Sequence, residues 1–279
     1  MVRPAPASDD VGRQLGERTI RDFGDQWTAD PSNEGFYGSL ELLSDALGSL
    51  LSPADFAGAR VGDIGSGAGR IVRMLIAAGA EHVTAVEPSR GVEALRRNVA
   101  EFGERVRVVH GPGEALPADL SADFVTAIGV IQFIPDPFPV LRAARAALRP
   151  GGRVVIWVYS AEGNRCYRAV LGALRSVTPH LPHAALSALS SVLTLLLDVY
   201  TFACRWLPLP LRDYLLQVLS KCTREKRKYT IYDQLNPSFV KFYRRAELVE
   251  LLEHCGFEDV RVHDRHGYSW TAVAVKPAS

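Results

Sequence analysis

The stretch Val61-Gly62-Asp63-Ile64-Gly65-Ser66-Gly67-Ala68-Gly69-Arg70 decides how this chain is read. It has the form of a buried strand end, a glycine-rich turn and the first turn of a helix. Glycine has no Cβ, so such a turn can press bare backbone against a flat, polar small molecule. The spacing is G-x-G-x-G behind an acid, Asp63. The dinucleotide fingerprint G-x-G-x-x-G would need glycine at position 70, where this chain has Arg70, and a nicotinamide dehydrogenase is therefore disfavoured. A glycine-rich turn alone is a weak signal. Its meaning comes from the segments that follow.

Outward from that turn, strand and helix signals alternate. Strands are expected at 60–64, 82–87, 106–110, 124–129 and 153–159, with helices at 69–78, 92–102 and 139–148 between them. Gly79 and the turn Arg149-Pro150-Gly151-Gly152 supply helix stops. A helix at 246–255, stopped by Gly256, and strands at 260–266 and 270–276 follow. The alternation is that of an α/β, doubly wound, mostly parallel sheet covered on both faces. Along the chain this gives a disordered tail over 1–14, helices and a Rossmann-like core over 15–160, a helical insertion or cap over 161–236, and a segment over 237–279 that completes the core.

Composition bounds the partners. Of 279 residues, 47% are hydrophobic and 23% charged, enough for a large core under a soluble surface. The net charge of +1 gives no general drive toward nucleic acid or anionic membranes. Cys166, Cys204, Cys222 and Cys255 are far apart with no histidine at ligand spacing, so reduced thiols in the cytoplasm are expected, with no metal. The first ten residues are rich in Pro, Ala and Asp and lack the apolar run of a signal peptide.

Three later segments carry chemistry. Glu87 ends the second strand, about twenty residues after the turn, where an acid can accept both ribose hydroxyls of an adenosine-containing cofactor. His110-Gly111-Pro112-Gly113-Glu114-Ala115-Leu116-Pro117 follows the third strand. Asp123-Phe124-Val125-Thr126-Ala127-Ile128-Gly129-Val130-Ile131-Gln132-Phe133-Ile134-Pro135-Asp136-Pro137 forms the fourth strand and its loop. Together with Leu148-Arg149-Pro150-Gly151-Gly152, these occur in the order and spacing of the class I S-adenosyl-L-methionine (SAM) methyltransferases, which the chain resembles from Asp63 through Gly152. Phe23-Gly24-Asp25-Gln26-Trp27, Trp157-Val158-Tyr159-Ser160-Ala161-Glu162-Gly163-Asn164 and Tyr232-Asp233-Gln234-Leu235-Asn236-Pro237 resemble a bacterial subgroup acting on small molecules or glycans.

The resemblance implies a seven-stranded sheet whose last hairpin adds one antiparallel strand, and SAM as cofactor. It implies cofactor contacts at Asp63, Gly65, Ser66, Gly67, Gly69, Glu87, Pro88, Gly113, Glu114, Ala115, Ile128 and Gly129, and acceptor contacts at Trp27, Gln132, Phe133, Tyr159 and Tyr232. Two departures stand out. Pro112 replaces the acid that many relatives place against adenine, leaving Glu114 or a backbone carbonyl for that role. Gln132 and Phe133 stand where relatives often carry a histidine pair, and glutamine cannot take a proton at neutral pH.

The implied reaction is methyl transfer to an oxygen or nitrogen of a small molecule, sugar-derived or hydrophobic. Gln132, Tyr232, Asp233 and His266 are candidate catalytic groups, with His263 beside them. Against each stands a plain packing or surface role. Two alternatives remain open: methylation of a lipid or quinone at a membrane surface, and SAM binding without catalysis.

Positions 183–206 are apolar except for Ser187, Ser190, Ser191, Thr194, Asp198, Thr201 and Arg205, which fall in one helical stripe. A buried cap helix is the favoured reading, ahead of a homodimer contact or membrane-surface contact, and Asp198 and Arg205 argue against stable insertion. The basic run Lys221, Arg224, Lys226, Arg227 and Lys228 reads as a solvated loop or as a seat for a phosphate or carboxylate. Nucleic acid is not an expected partner.

Overall fold

The structure, a computed structural model, describes residues 6–29, 33, 35–178 and 181–278. Seven strands form one sheet: β1 (Arg60–Ile64), β2 (His82–Glu87), β3 (Val106–His110), β4 (Ala122–Ile128), β5 (Leu148–Tyr159), β6 (Glu258–Arg265) and β7 (Ser269–Val275). Their order is β3-β2-β1-β4-β5-β7-β6. All pairings are parallel except those of β7, which runs antiparallel to both β5 and β6. The β6–β7 turn has φ of 56° at His266 and 64° at Gly267, closed by Tyr268 N–H donating to Arg265 O at 3.1 Å. Three residues, 266–268, separate the paired Arg265 and Ser269, and positive φ at the first two lets the chain reverse tightly.

Helices cover both faces, as buried parallel strands require. The pleat sends Val154, Ile156 and Val158 of β5 to one layer, where they meet α5 (Phe138–Ala147) and α10 (Arg245–His254) through Leu141, Ala144, Leu248 and Leu252. Val155 and Tyr159 point to the other layer, built on α2 (Leu40–Leu47) and α3 (Arg70–Ala77), with α4 (Val92–Val99) adding Leu95 and Val99. Most strand and helix bounds fall within two residues of those expected. The exceptions are α4, which ends at Val99 where 102 is expected, and β5, whose first residue, Leu148, pairs with Ala122 before a register shift carries the strand past the Pro150-Gly151 corner.

The N-terminal helix α1 (Pro6–Ala29) lies over the cleft at the sheet's carboxyl edge. Residues 6–14 thus belong to a helix in place of the expected disordered tail, and residues 1–5 lie outside the described residues. Gly24 permits the close approach: a Cβ there would stand 3.2 Å from the backbone nitrogen of Arg90 and from Ser89 Cβ. The segment after the insertion clasps α1 from the other side. Asp22 accepts from Ser238 N–H at 2.9 Å and its hydroxyl at 2.8 Å, Asn236 Nδ2 donates to Asp22 O at 2.9 Å, and Phe239 N–H donates to Thr19 Oγ1 at 3.2 Å.

The insertion folds as α6 (Arg165–Arg175), α7 (His183–Ala203), α8 (Arg212–Gln217) and α9 (Arg224–Leu235). Leu171, Leu186 and Leu235 form its own small core. The favoured reading of α7 as a buried helix is corrected here. Leu186 and, on the polar stripe, Ser190 and Thr194 are the buried positions, whereas Val192, Leu195, Leu196, Val199 and Phe202 face outward. The hydroxyls of Ser190 and Thr194 donate to the carbonyls of Leu186 (2.8 Å) and Ser190 (2.6 Å), one turn back. Satisfied inside their own helix, these small side chains pack against α9 at little polar cost. Asp198 completes the inward stripe, accepting from Arg227 Nε at 2.7 Å.

Candidate active site

The sheet reverses winding between β1 and β4, the place where open α/β sheets bind ligands. There the glycine turn leaves β1. Gly65, Gly67 and Gly69 have φ of 68°, 55° and 89°, conformations open to glycine and strained for other residues. Gly65 N–H and Ser66 N–H donate to Val86 O at 2.8 and 3.1 Å, which docks the turn on β2. Close packing adds to the constraint, because a Cβ on Gly65 would meet Val130 at 2.6 Å.

Two acids hold this turn in different ways. Glu87, 4% exposed, accepts Gly67 N–H at 2.8 Å on Oε2, and Ser89 N–H at 2.9 Å and the Ser89 hydroxyl on Oε1. A carboxylate offers about four lone-pair positions, so Oε2 retains capacity for a ligand hydroxyl. Asp63 sits behind the turn, with Oδ1 accepting from Thr126 Oγ1 at 2.6 Å and Oδ2 from Ser66 Oγ at 2.7 Å. Burial pushes its pKa up to about 6, against the opposing pull of those two hydroxyls.

The cleft has two chambers. The first lies beside Glu87 and is walled by Pro88, Ser89, Pro112, Gly113, Glu114, Val130, Ile134 and Pro135. The second begins at Gly65–Ala68 and runs under the cap, past Arg70, Trp157, Tyr159, Tyr214, Asp233, Gln234 and Arg265. Phe23, Trp27, Gly65, Gly129 and Phe133 line both, so the chambers are halves of one cleft. Phe133 forms the divider, meeting Phe23 edge-on at 4.8 Å and Tyr159 at 5.9 Å.

The second chamber is an aromatic box with few polar groups. Trp157 and Tyr159 meet at 5.3 Å, and Tyr214 stacks on Tyr268 at 4.1 Å. Gln234 ties the tyrosines together: its Nε2 donates to Tyr159 Oη at 2.6 Å and Tyr268 Oη at 3.2 Å, and its Oε1 accepts from Tyr167 Oη at 2.7 Å. Burial drives the phenol pKa of Tyr159 and of Tyr268 well above the ordinary value and that of Tyr214 up to about 12, so these hydroxyls stay neutral.

Arg265, 5% exposed, lies with its guanidinium 5.7 Å from the Trp157 ring centre and pairs with Asp45 of α2. His266 Nε2 bonds the other oxygen of Asp45 at 2.7 Å. Burial works to raise the Asp45 pKa, but the His266 hydrogen bond and the Arg265 charge outweigh it and hold the carboxyl below its usual value. Asp233 Oδ1 accepts from Gln26 Nε2 of α1, which joins lid and cap at the chamber wall.

Of the expected cofactor contacts, Gly65, Ser66, Gly67, Glu87, Pro88, Gly113, Glu114, Ile128 and Gly129 line the cleft. Asp63, Gly69 and Ala115 do not: Asp63 is buried behind the turn, Gly69 starts α3 against Leu95, and Ala115 closes a 3-10 turn onto Pro112 O at 2.8 Å. Trp27, Phe133 and Tyr159 line the second chamber, whereas Gln132 and Tyr232 do not. Gln132 is fully buried, and its side-chain amide has no hydrogen-bond partner among the described residues.

Of the four candidate catalytic groups, only Asp233 reaches the chamber. His266 is spent on Asp45, and His263 lies at the sheet edge beside Ser49 Oγ at 3.2 Å. The basic run is dispersed, with Lys221 on Glu41 at 2.6 Å, Arg224 and Arg227 on Asp198, and Lys226 over the Tyr37 ring at 5.2 Å. Arg70, Tyr214, Gln234 and Arg265 were not expected to line the site. Arg265 and Asp45 are 220 residues apart, and no local pattern joins them.

Comparison with known proteins agrees with this geometry. Residues 39–262 match the methyltransferase domain family. Ubiquinone biosynthesis O-methyltransferase of Aromatoleum aromaticum is 34% identical over 123 residues, covering 43% of this chain and 52% of that protein. The protein of the same name from Cupriavidus pinatubonensis is 29% identical over 178 residues, covering 62% and 70%. The chain thus spans about half the length of the Aromatoleum protein. Among solved structures, Burkholderia thailandensis 1,6-didemethyltoxoflavin-N1-methyltransferase, with its substrate and S-adenosylhomocysteine bound, superposes with a TM-score of 0.54 at 18% identity. That superposition covers 99% of this chain and 92% of that one, and it establishes the fold. The chain belongs to the methyltransferase domain family, as a class I SAM-dependent methyltransferase.

Proposed function

We propose that this protein is a cytoplasmic enzyme that transfers the methyl group of SAM to an oxygen or nitrogen of a small, largely apolar ring-bearing acceptor held in the second chamber. One observation carries the reading. The chamber beside Glu87 opens, past Phe133, into an aromatic box whose wall bears a carboxylate, Asp233. The naming of the curated relatives as ubiquinone biosynthesis O-methyltransferases supports oxygen as the accepting atom.

The residues present fit SAM. Pro88, Pro112, Val130 and Pro135 offer flat apolar walls for a purine, and Glu87 keeps an acceptor position for a ribose hydroxyl. The bare backbone of Gly65–Ala68 and the guanidinium of Arg70, which lies 4.5 Å from the Tyr37 ring centre, would hold the amino-acid end. When bound, SAM supplies a methyl carbon activated by a positive sulfur. The protein's part is mostly alignment and exclusion of water, which can lower the barrier by several kcal/mol without a catalytic side chain. Trp27, Phe133 and Tyr159 would fix the acceptor ring. Asp233 would take the proton that the attacking hydroxyl or amine gives up as its bond to carbon forms, a role worth roughly 10²–10⁴ in rate.

The test is incubation of the enzyme with methyl-labelled SAM and a bacterial metabolite extract, followed by mass identification of labelled products. A labelled, ring-bearing product supports the proposal. SAM binding without any labelled product overturns it in favour of a non-catalytic SAM-binding protein.

A further inference from the structure

Helix α7 is turned inside out relative to an ordinary surface helix. Val192, Leu195, Val199 and Phe202 recur at three- and four-residue steps, and each is more than half exposed. Trp206, just beyond the helix, continues the stripe at 79% exposure. Val170 on α6 and Val177, just beyond its end, are exposed in the same way. An apolar face of this extent is the mark of an interaction surface.

Charge identifies the partner. Between Arg165 and Trp206 the chain carries four arginines and one acid, Asp198, and that acid is turned inward onto Arg227. Arg165, Arg168 and Arg205 stand exposed at the margins, with the Arg205 guanidinium 5.6 Å from the Phe202 ring centre. Apolar centre, basic rim and an exposed tryptophan beside an arginine are what an anionic lipid surface recognises. A second copy of the chain fits less well, because between Arg165 and Trp206 the chain offers no unengaged acid to pair with these arginines across a two-fold contact. The α7 helix is also long and apolar enough to cross a bilayer, but Ser190, Thr194 and Asp198 commit its inner stripe to α9.

We propose that the outer face of α6 and α7 docks the protein on anionic membranes, with α7 lying in the plane of the interface. The docking does not depend on the methylation chemistry. It would place the second chamber one helix away from the lipid, since α9 contributes Thr230, Asp233 and Gln234 to the chamber wall and packs against α7 on its other side.

Flotation of the full chain with vesicles tests this, using phosphatidylcholine alone and phosphatidylcholine mixed with phosphatidylglycerol. The wild-type protein is expected to float with the mixed vesicles, and to do so less at high salt. Leu195→Glu/Val199→Glu/Phe202→Glu should reduce the floated fraction at least about tenfold, and Arg165→Glu/Arg168→Glu/Arg205→Glu should reduce it selectively for the anionic vesicles. Circular dichroism and SAM titration of each variant report whether the core is intact, and the salt dependence of the wild type needs no variant. Wild type that stays unfloated with mixed vesicles overturns the proposal. So does a well-folded triple glutamate variant that floats as the wild type does. A wild-type dimer that the glutamates dissociate, with no flotation, would assign the face to a second copy instead.

Discussion

The two halves of the cleft are built by opposite strategies. The region around the glycine turn and Glu87 is made of backbone and short-range contacts: a turn of three left-handed glycines, an acid at the end of the neighbouring strand, and one strand-end loop. The half under the cap is made of side chains brought together over long distances, such as Arg265 on Asp45 and Gln26 on Asp233, 207 residues apart. The first needs a fixed shape for a ligand common to the family. The second can change its ring of residues without disturbing the first. The acceptor site proposed above therefore lies where sequence patterns are weakest.

Gly65→Val strikes the first half. A side chain there would collide with Val130, and affinity for SAM should fall by roughly 1000-fold, about 4 kcal/mol, in calorimetry of a protein that remains folded. Asp45→Ala strikes the second half. It leaves the Arg265 guanidinium buried without its partner, and urea denaturation should show a loss of about 3 kcal/mol while SAM affinity holds. Asp233→Asn should lower turnover by roughly 100-fold, about 2.7 kcal/mol of barrier, since the amide cannot take the proton.

Asp63→Asn gives an effect on stability that depends on pH. The folded pKa of about 6 lies above the unfolded value of about 3.9, so the folded state keeps its proton longer. The Asp63 contribution to stability therefore falls as pH rises from about 4 to about 6, by up to about 3 kcal/mol, and is level above that window. The asparagine variant should lack this slope in urea midpoints measured across the window. Its SAM affinity should match that of the wild type, because Asp63 braces the turn from behind.

Legibility in the sequence follows the same division. The strands β1 and β2 and the glycine turn are legible because buried parallel strands carry apolar residues on both faces and because the turn stands in order with the segments that follow it. Glu87 was readable from its distance to that turn. Gln132 was misjudged: the 3-10 turn over 131–133 points Phe133 into the cleft and Gln132 into the core, and a one-residue difference in facing cannot be read from loop sequence. The stripe of α7 was found, but its sense was reversed. Periodicity shows that a helix has two faces, while the self-satisfied hydroxyls of Ser190 and Thr194 decide which one packs. Tyr214, Gln234 and Arg265 lacked any local signal, because only the folded chain sets them side by side.

In the proposed reaction the glycine turn and Glu87 bind SAM, and Asp233 removes the proton. The most direct test is to measure SAM affinity and methyl turnover side by side in wild type, Gly65→Val and Asp233→Asn. The account predicts that Gly65→Val loses binding and turnover together, whereas Asp233→Asn binds SAM as the wild type does and loses turnover alone. Equal loss of SAM affinity in both variants, or undiminished turnover in Asp233→Asn, would contradict it.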